Sequence, residues 1–194
     1  MKKKTYVINL FGASGIGKSV TASRVYAETR MRGMRSELVR EVAKKRAHAN
    51  KPITGYDQVT IFGDQAEEEV IIYKSECDVL ITDSPLLLCG AYEAIYLGRE
   101  IATSSILSFM KYAEEDGVTY LNFWLKNYIK YEKFGRYETE EKSKENHEYI
   151  YNWLKSKGIE LIEVAVPDRE RKSVIVEHLI GVMNMDKDAD QAKS

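Results

Sequence analysis

Gly-Ala-Ser-Gly-Ile-Gly-Lys-Ser, residues 12 to 19, matches the pattern G-x-x-x-x-G-K-[ST] at every fixed position. This octapeptide follows an apolar run from Tyr6 to Phe11 and precedes a stretch of helical character. Glycines in such a loop let successive backbone N–H groups point at phosphate oxygens, and the following helix contributes the positive end of its dipole. The sequence therefore predicts a loop between a strand and a helix that binds the phosphates of a nucleotide.

Two side chains of this loop have expected roles in holding ATP. Lys18 is expected to bridge the β- and γ-phosphates, and the hydroxyl of Ser19 is expected to ligate Mg²⁺. We expect the nucleotide contacts along the whole loop, at Gly12, Ser14, Gly15, Ile16, Gly17, Lys18, Ser19 and Val20. A glycine-rich turn that merely caps a helix is the competing interpretation, but the fixed positions and their strand and helix context rarely coincide by chance.

Length and composition bound the class of protein. The 194 residues suit one α/β domain, which we place at residues 1–185 with a disordered tail at 186–194. A formal charge of -1 argues against a protein that coats duplex DNA or an anionic membrane. Cys77 and Cys89 lack a metal-ligand or CxxC spacing, which favours a reduced, cytoplasmic setting. The sequence contains no apolar stretch of membrane-spanning length.

Strand-like and helix-like segments alternate along the chain, which predicts a mainly parallel sheet with helices on both faces. We expect strands at residues 5–11, 36–40, 78–82, 118–125 and 159–166. We expect helices at 18–32, 41–48, 57–74, 86–116 with a break near Gly98, ahead of Gly158, and at 169–183. The helix that Gly158 closes is expected to carry Tyr149, Ile150, Trp153 and Leu154 on one side.

Asp83 directly follows a Val-Leu-Ile-Thr strand and is the second candidate for a role in the site. In a chain with a phosphate loop, a carboxylate at this position is expected to order the magnesium shell or a bound hydroxyl. Ligands of parallel sheets collect at the carboxyl ends of the strands, so Asp83 and the loop are expected to share one crevice. Alternatively, Asp83 only starts a turn or caps the helix entered through Pro85.

Arg40 and Glu41 stand where the second strand is expected to end. A carboxylate at that edge can accept a proton from an acceptor hydroxyl or hold a ribose. An acidic residue favoured by the dipole of the next helix is an equally good explanation of Glu41. Gln58 and Gln65 lie seven residues apart on one face of a helix that can flank the acceptor, where an amide can pair with a base or a carboxamide.

The segment after the fourth strand, about residues 126–138, is basic and aromatic and is expected to form a lid. Such a segment can close over the donor phosphates, exclude water and bring a guanidinium to the charge that develops in the transition state. Arg136 is our candidate for that guanidinium, with Lys126, Lys130 and Lys133 in support. A solvated loop is the alternative. The histidines at 48, 147 and 178 lack a metal-binding spacing and are expected at the surface.

Several of these segments together resemble a known group of proteins. They are Gly12–Ser19, Glu41-Val-Ala, Gln65, Ile81-Thr-Asp-Ser-Pro85 and Gly135-Arg-Tyr-Glu-Thr-Glu140. The chain resembles the P-loop kinase-type ATPases related to the nicotinamide riboside kinase domain of NadR, a group that includes many phage-encoded nucleotide-kinase-like proteins. The resemblance implies the three-layer P-loop NTPase fold of nucleoside and nucleotide kinases, with a parallel five-stranded sheet and a lid.

The resemblance also implies roles for single residues. Lys18 and Ser19 would serve the triphosphate and magnesium, Asp83 the metal or the acceptor, and Arg136 the lid. Relatives with riboside kinase activity tend to carry Asp-Thr-Asp where this chain has Thr82-Asp83-Ser84. The acceptor is therefore left open by the sequence.

The residues and the resemblance lead us to expect a magnesium-dependent kinase that transfers the γ-phosphate of ATP to a nucleoside, a nucleoside monophosphate or a related ribosyl compound. Expected partners are ATP and that small molecule, with no membrane and with a homodimer left open. A regulatory P-loop ATPase or nucleotide switch acting on a protein partner is one alternative. A kinase acting on DNA bases or ends is another, and the near-neutral charge speaks against it.

Overall fold

Five parallel strands form one sheet in the order β2-β3-β1-β4-β5 in a computed structural model that describes residues 4–39, 57–126 and 139–191. The strands are β1 (Thr5–Phe11), β2 (Ser36–Val39), β3 (Val79–Thr82), β4 (Val118–Leu125) and β5 (Ile162–Val164). The helices in these ranges are α1 (Lys18–Met31), α2 (Asp57–Tyr73), α3 (Leu86–Leu97), α4 (Thr103–Glu115), α5 (Glu140–Ser156) and α6 (Asp168–Gln191). The expected parallel five-stranded sheet with helices on both faces is confirmed.

β1 lies at the centre of the sheet because nearly all of its side chains are apolar. Every residue of the strand is buried, as expected for a strand covered on both faces by helices. One of its polar residues, Asn9, donates from its side-chain amide to the side-chain oxygen of Asn122 on β4 at 2.8 Å. This hydrogen bond joins the buried amide of Asn9 to the half-buried amide of Asn122 across neighbouring strands.

Alternate residues of the strands face opposite sides of the sheet, and each side buries its own apolar residues. On one face, Ile8 and Phe123 pack against α1 and α6, which contribute Val25 and Leu179 among others. On the other face, α2, α3, α4 and α5 pack over the sheet, and the side chains at the centre of this layer include Phe11, Leu87, Ile106, Trp124 and Leu154. The α5 and α6 helices therefore lie on opposite faces of the sheet.

The carboxyl ends of the three central strands meet at one edge. Asn9 of β1 pairs with Thr82 of β3, and Phe11 pairs with Trp124 of β4. The loop after β1 and Asp83 after β3 therefore emerge side by side. This edge is where ligands of open parallel sheets bind.

The C-terminal part of the chain differs from the sequence-based expectation. The tail predicted from residue 186 is wrong for residues 186–191, because α6 continues to Gln191. The Tyr6 hydroxyl donates to Asp186 at 2.7 Å, and Lys4 lies 3.2 Å from the same carboxylate. These contacts with the start of β1 give the polar end of the helix a surface to pack on.

Two smaller predictions were also inaccurate. β5 spans Ile162–Val164 rather than 159–166, because this edge strand pairs with only three residues of β4. Tyr149 is 44% exposed, while Ile150, Trp153 and Leu154 are buried as expected. No helix in the described part of the chain is long and apolar enough to cross a bilayer.

Candidate phosphate-binding site

The loop that joins β1 to α1 has the backbone of an anion cradle. Gly12, Gly15 and Gly17 have φ values of 141°, 87° and 95°, which other residues adopt only with strain. A Cβ atom at Gly12 would lie 2.8 Å from Cγ2 of Ile16, so the loop is also too tight for a side chain there. Gly17 is the N-cap of α1, and no side chain among the described residues caps it. The loop therefore presents backbone N–H groups and the positive end of a helix at one place.

Lys18 folds back over the start of this loop. Its Nζ atom donates to the carbonyl oxygens of Gly12 at 2.7 Å and of Ala13 at 2.9 Å. The ammonium group is thus held against the cradle, where a bound phosphate would gain from its charge.

Three side chains from distant parts of the chain contact the outer side of the loop. Ser143 of α5 donates its hydroxyl to the carbonyl oxygen of Ser14. His147 of α5 accepts a hydrogen bond at Nδ1 from the backbone N–H of Ala13 at 3.2 Å. Arg171 of α6 donates from Nη1 to the carbonyl oxygen of Ile16 at 2.7 Å. We expected none of these contacts from the sequence.

His147 therefore corrects the expectation that it lies at the surface. Its ring stacks on Trp124 with 4.2 Å between centroids and 30° between planes. Burial, and secondarily the charge of Lys18, lowers the pKa of the imidazole to about 4. The ring is consequently neutral at pH 7 and keeps Nδ1 free of a proton, as an acceptor must. The signal in the sequence was the spacing of Ser143 and His147, which places them on one face of a helix.

The same prediction of a surface position was made for His48 and His178. His178 is exposed, and its ring meets the edge of Phe123 with 5.6 Å between centroids. His48 lies outside the described residues. Histidine, cysteine, aspartate and glutamate side chains within the described ranges form no group of three that could hold a metal ion.

Asp83 stands at the carboxyl end of β3, next to the loop. It is 5% exposed, and Thr82 before it accepts a hydrogen bond at its hydroxyl from the N–H of Ser84 at 3.1 Å. The N-cap of α3 is Pro85, so Asp83 is not the capping residue of that helix. Asp83 thus lies at the edge of the sheet from which the loop also emerges, as expected from the sequence.

The donor set fits ATP and Mg²⁺. The tight, positive-φ loop suits a polyphosphate, and Ser19 and Asp83 supply the two oxygen ligand types expected beside it. Magnesium in such sites keeps several waters and takes its remaining ligands from substrate phosphates. Two oxygen-bearing side chains are therefore enough.

Three other predicted residues, Lys126, Gln58 and Gln65, lie in the described part of the chain. Lys126 forms an ion pair of 2.7 Å with Glu163 of β5. Gln58 and Gln65 of α2 are buried, and the Gln65 amide lies beside the carboxyl of Glu69. Several predictions fall outside the described residues. They are those for Arg40, Glu41, Lys130, Lys133 and Arg136, and for the part of the lid that follows Lys126.

Comparisons with known proteins agree with this fold. The profile of a protein family described as an AAA domain matches residues 7–172. No curated protein matches the chain. Solved structures with the same fold include small-molecule kinases, to which the chain is less than a fifth identical.

Three of these structures show the range of the likeness. The NadR protein in complex with NR has a TM-score of 0.60 and 18% identity, and the match covers 84% of this chain and 46% of NadR. A deoxyadenosine kinase from M. mycoides, with dCMP and dCDP bound, has a TM-score of 0.57 and 14% identity over 90% of this chain and 99% of the kinase. The Mycobacterium tuberculosis APS kinase CysC with AMPPNP and APS has a TM-score of 0.52 and 11% identity over 91% and 98%. The fold is therefore that of P-loop nucleoside and nucleotide kinases.

Proposed function

The chain belongs to the AAA domain family, and from that premise we propose that it is a phosphotransferase dependent on Mg²⁺. It moves the γ-phosphate of ATP to a nucleoside, a nucleoside monophosphate or a related ribosyl acceptor. The observation that carries the proposal is the glycine loop of residues 12–19 beside Asp83, on neighbouring strands of a fold shared with small-molecule kinases. We place the reaction in the cytoplasm on sequence grounds, since Cys77 and Cys89 lack a metal-ligand or CxxC spacing.

The residues of the site bind the phosphates of ATP or the magnesium ion in this proposal. The N–H groups of Gly15 and Gly17 bind the phosphates, and Lys18 neutralises charge on the β- and γ-phosphates. Ser19 and Asp83 would hold a magnesium ion, which when bound would supply charge neutralisation at the transferring phosphoryl group. Positioning and charge account for most of the rate because phosphoryl transfer needs little covalent help from the protein.

The acceptor side of the proposal rests on sequence. We assign Arg40, Glu41, Gln65 and Asp83 to the acceptor, with Glu41 or Asp83 taking the proton from its hydroxyl. Arg136 is assigned to the transferring phosphate. Burial of Gln65 next to Glu69 makes it the weakest member of the set, because an acceptor would have to reach past the helix surface.

A screen with radiolabelled ATP and Mg²⁺ tests the proposal. Nucleosides, nucleoside monophosphates and nicotinamide riboside are offered singly, and transfer of label to an acceptor is measured for the unmodified chain and for Lys18→Ala. We expect one acceptor class to be labelled by the unmodified chain and to lose nearly all label with the variant. Binding of ATP without transfer to any of these compounds would contradict the kinase.

Membership in an AAA domain family favours one second candidate, a regulatory ATPase that couples hydrolysis to a protein partner. The same screen separates the two. Release of free phosphate that depends on Lys18 and is not raised by any nucleoside is the result expected of the ATPase.

A further inference from the structure

The phosphate loop is held from outside by two helices that lie on opposite faces of the sheet. Ser143 and His147 extend from α5, and Arg171 extends from α6. Each of them contacts a different peptide group of the loop. These contacts set the directions of the N–H groups that would bind phosphate.

The geometry of the peptide bond fixes the directions of two of these N–H groups, those of Gly15 and Gly17. The carbonyl that Ser143 binds, that of Ser14, shares its peptide group with the N–H of Gly15. The carbonyl that Arg171 binds, that of Ile16, shares its peptide group with the N–H of Gly17. No described peptide bond is cis, and in a trans peptide the C=O and N–H point in opposite directions. Holding the two carbonyls toward α5 and α6 therefore turns both N–H groups away from these helices.

The first peptide group of the loop is held at both of its polar atoms. The carbonyl oxygen of Gly12 accepts from Lys18 at 2.7 Å, and the N–H of Ala13 donates to His147 at 3.2 Å. The stacking of His147 on Trp124 fixes the plane of the imidazole ring. These contacts together hold the first peptide group of the loop in one orientation.

Burial of the Arg171 side chain would be unfavourable in free energy if the side chain only filled space. Its side chain is wholly buried, and its carboxylate partner, Asp168 Oδ1, lies 3.5 Å from Nη1. Burying a guanidinium costs free energy unless its hydrogen bonds are made, and an apolar side chain would fill the same space at lower cost. The hydrogen bond to the carbonyl of Ile16 is the contact that an apolar residue could not make.

We propose that Ser143, His147 and Arg171 are positioning residues that preorganise the phosphate loop. They hold its outer polar groups so that the N–H groups of Gly15 and Gly17 face the phosphate site. A loop with three positive-φ glycines has many conformations when it is unrestrained. Restraint from outside removes that ordering cost from phosphate binding. The proposal rests on the proposed function only in requiring that this loop binds phosphates.

The test measures binding of two probes, inorganic tripolyphosphate and ATP, each with Mg²⁺, by titration calorimetry. The variants are Ser143→Ala, His147→Phe and Arg171→Met, and His147→Phe retains an aromatic ring that can stack on Trp124. Two variants serve as matched controls. Ser156→Ala removes a hydroxyl of α5 that donates to Trp153, and Lys172→Met removes a cation of α6 that pairs with Glu28.

Each positioning variant is expected to weaken both probes by the same factor, roughly three- to tenfold, because the affected contacts are with phosphates and not with the nucleoside. The two controls should bind as the unmodified chain does. His147→Asn is expected to restore binding lost in His147→Phe, since the asparagine oxygen stands as many bonds from Cβ as Nδ1 does. Melting temperatures identify any variant that fails to fold. If Arg171→Met fails to fold, the two α5 variants, Ser143→Ala and His147→Phe, test the inference.

The inference would be overturned if the unmodified chain binds both probes and the folded positioning variants bind them with the same affinity. The proposed function would then still stand. Equal weakening in the controls would overturn it as well, because the effect would then be general loosening. An unmodified chain that binds neither probe would reject the proposed function and this inference together.

Discussion

Asn9 of β1 is the register partner of Thr82 of β3. The phosphate loop begins three residues after Asn9, and Asp83 stands one residue after Thr82. Adjacent strands lie about 4.8 Å apart and rise about 3.3 Å per residue. The carboxylate and the first glycine of the loop are therefore within two residue steps of each other along the sheet, so Asp83 lies close to the start of the loop.

Lys18→Ala is expected to lower turnover about a hundredfold or more while the fold survives, because the lysine contributes charge at the phosphates and few core contacts. Initial rates at saturating ATP and the melting temperature check this. A loss of thermal stability that parallels the loss of rate would show that the lysine holds the loop together instead.

Asp83→Asn is expected to lower the rate about ten- to a hundredfold and to raise the Mg²⁺ concentration needed for half-maximal rate. The neutral amide occupies the same volume but attracts the cation less. Asp78→Asn is the matched control: Asp78 precedes the amino end of the same strand, pairs with Arg35 at 2.7 Å, and should leave the magnesium dependence unchanged. An identical response of both variants would remove Asp83 from the metal shell.

Arg136→Ala is expected to reduce kcat by about a thousandfold while ATP affinity changes much less, if its guanidinium acts on charge that develops in the transition state. Kinetics that separate kcat from the dissociation constant of ATP are the measurement. An unchanged kcat would exclude Arg136 from the mechanism.

Glu69→Gln is expected to change how stability depends on pH. Burial raises the pKa of Glu69 to about 7, while the Tyr73 hydroxyl and the neighbouring Gln65 amide act in the opposite direction. Between its ordinary pKa of 4.5 and about 7, the folded state keeps a proton that the unfolded state releases. This contribution to stability is fully present below pH 4.5 and is lost as the pH rises through 7.

The glutamine variant cannot ionise, so its unfolding free energy should gain about 1 to 3 kcal/mol relative to the unmodified chain between those pH values. Urea titrations at a series of pH values measure the difference. Glu67→Gln, an exposed neighbour on α2, is the control and should follow the unmodified chain. A constant difference between Glu69→Gln and the unmodified chain across the range would contradict the raised pKa.

Gly90→Ala is expected to destabilise the fold by about 1 to 3 kcal/mol. A Cβ atom there would lie 2.9 Å from Oγ1 of Thr103 and 2.9 Å from Cη2 of Trp153, so α3 would have to move away from α4 and α5. Gly181→Ala on α6 meets nothing within 4 Å and should stabilise by up to about 1 kcal/mol. Equal effects of the two substitutions on urea unfolding would show that the helices have room to adjust.

Local patterns predicted much of the fold. β1 and β4 have the bounds expected from their apolar runs, and α1 and α2 end within one residue of the expected position. The prediction failed at β5 and at the end of α6, where the neighbours decide the outcome. β5 is short because it has one partner strand, and α6 is long because Tyr6 and Lys4 contact its polar last turns.

The sequence by itself determined the phosphate loop, the strand before it and the position of Asp83, since each depends on residues adjacent in the chain. Only the tertiary structure decided which side chains hold the loop from outside. Ser143, His147 and Arg171 are separated from their loop partners by 129, 134 and 155 residues. Contacts over such distances arise from how α5 and α6 pack on the two faces of the sheet. The spacing of Ser143 and His147 shows only that they share a helix face, and it does not show what that face contacts.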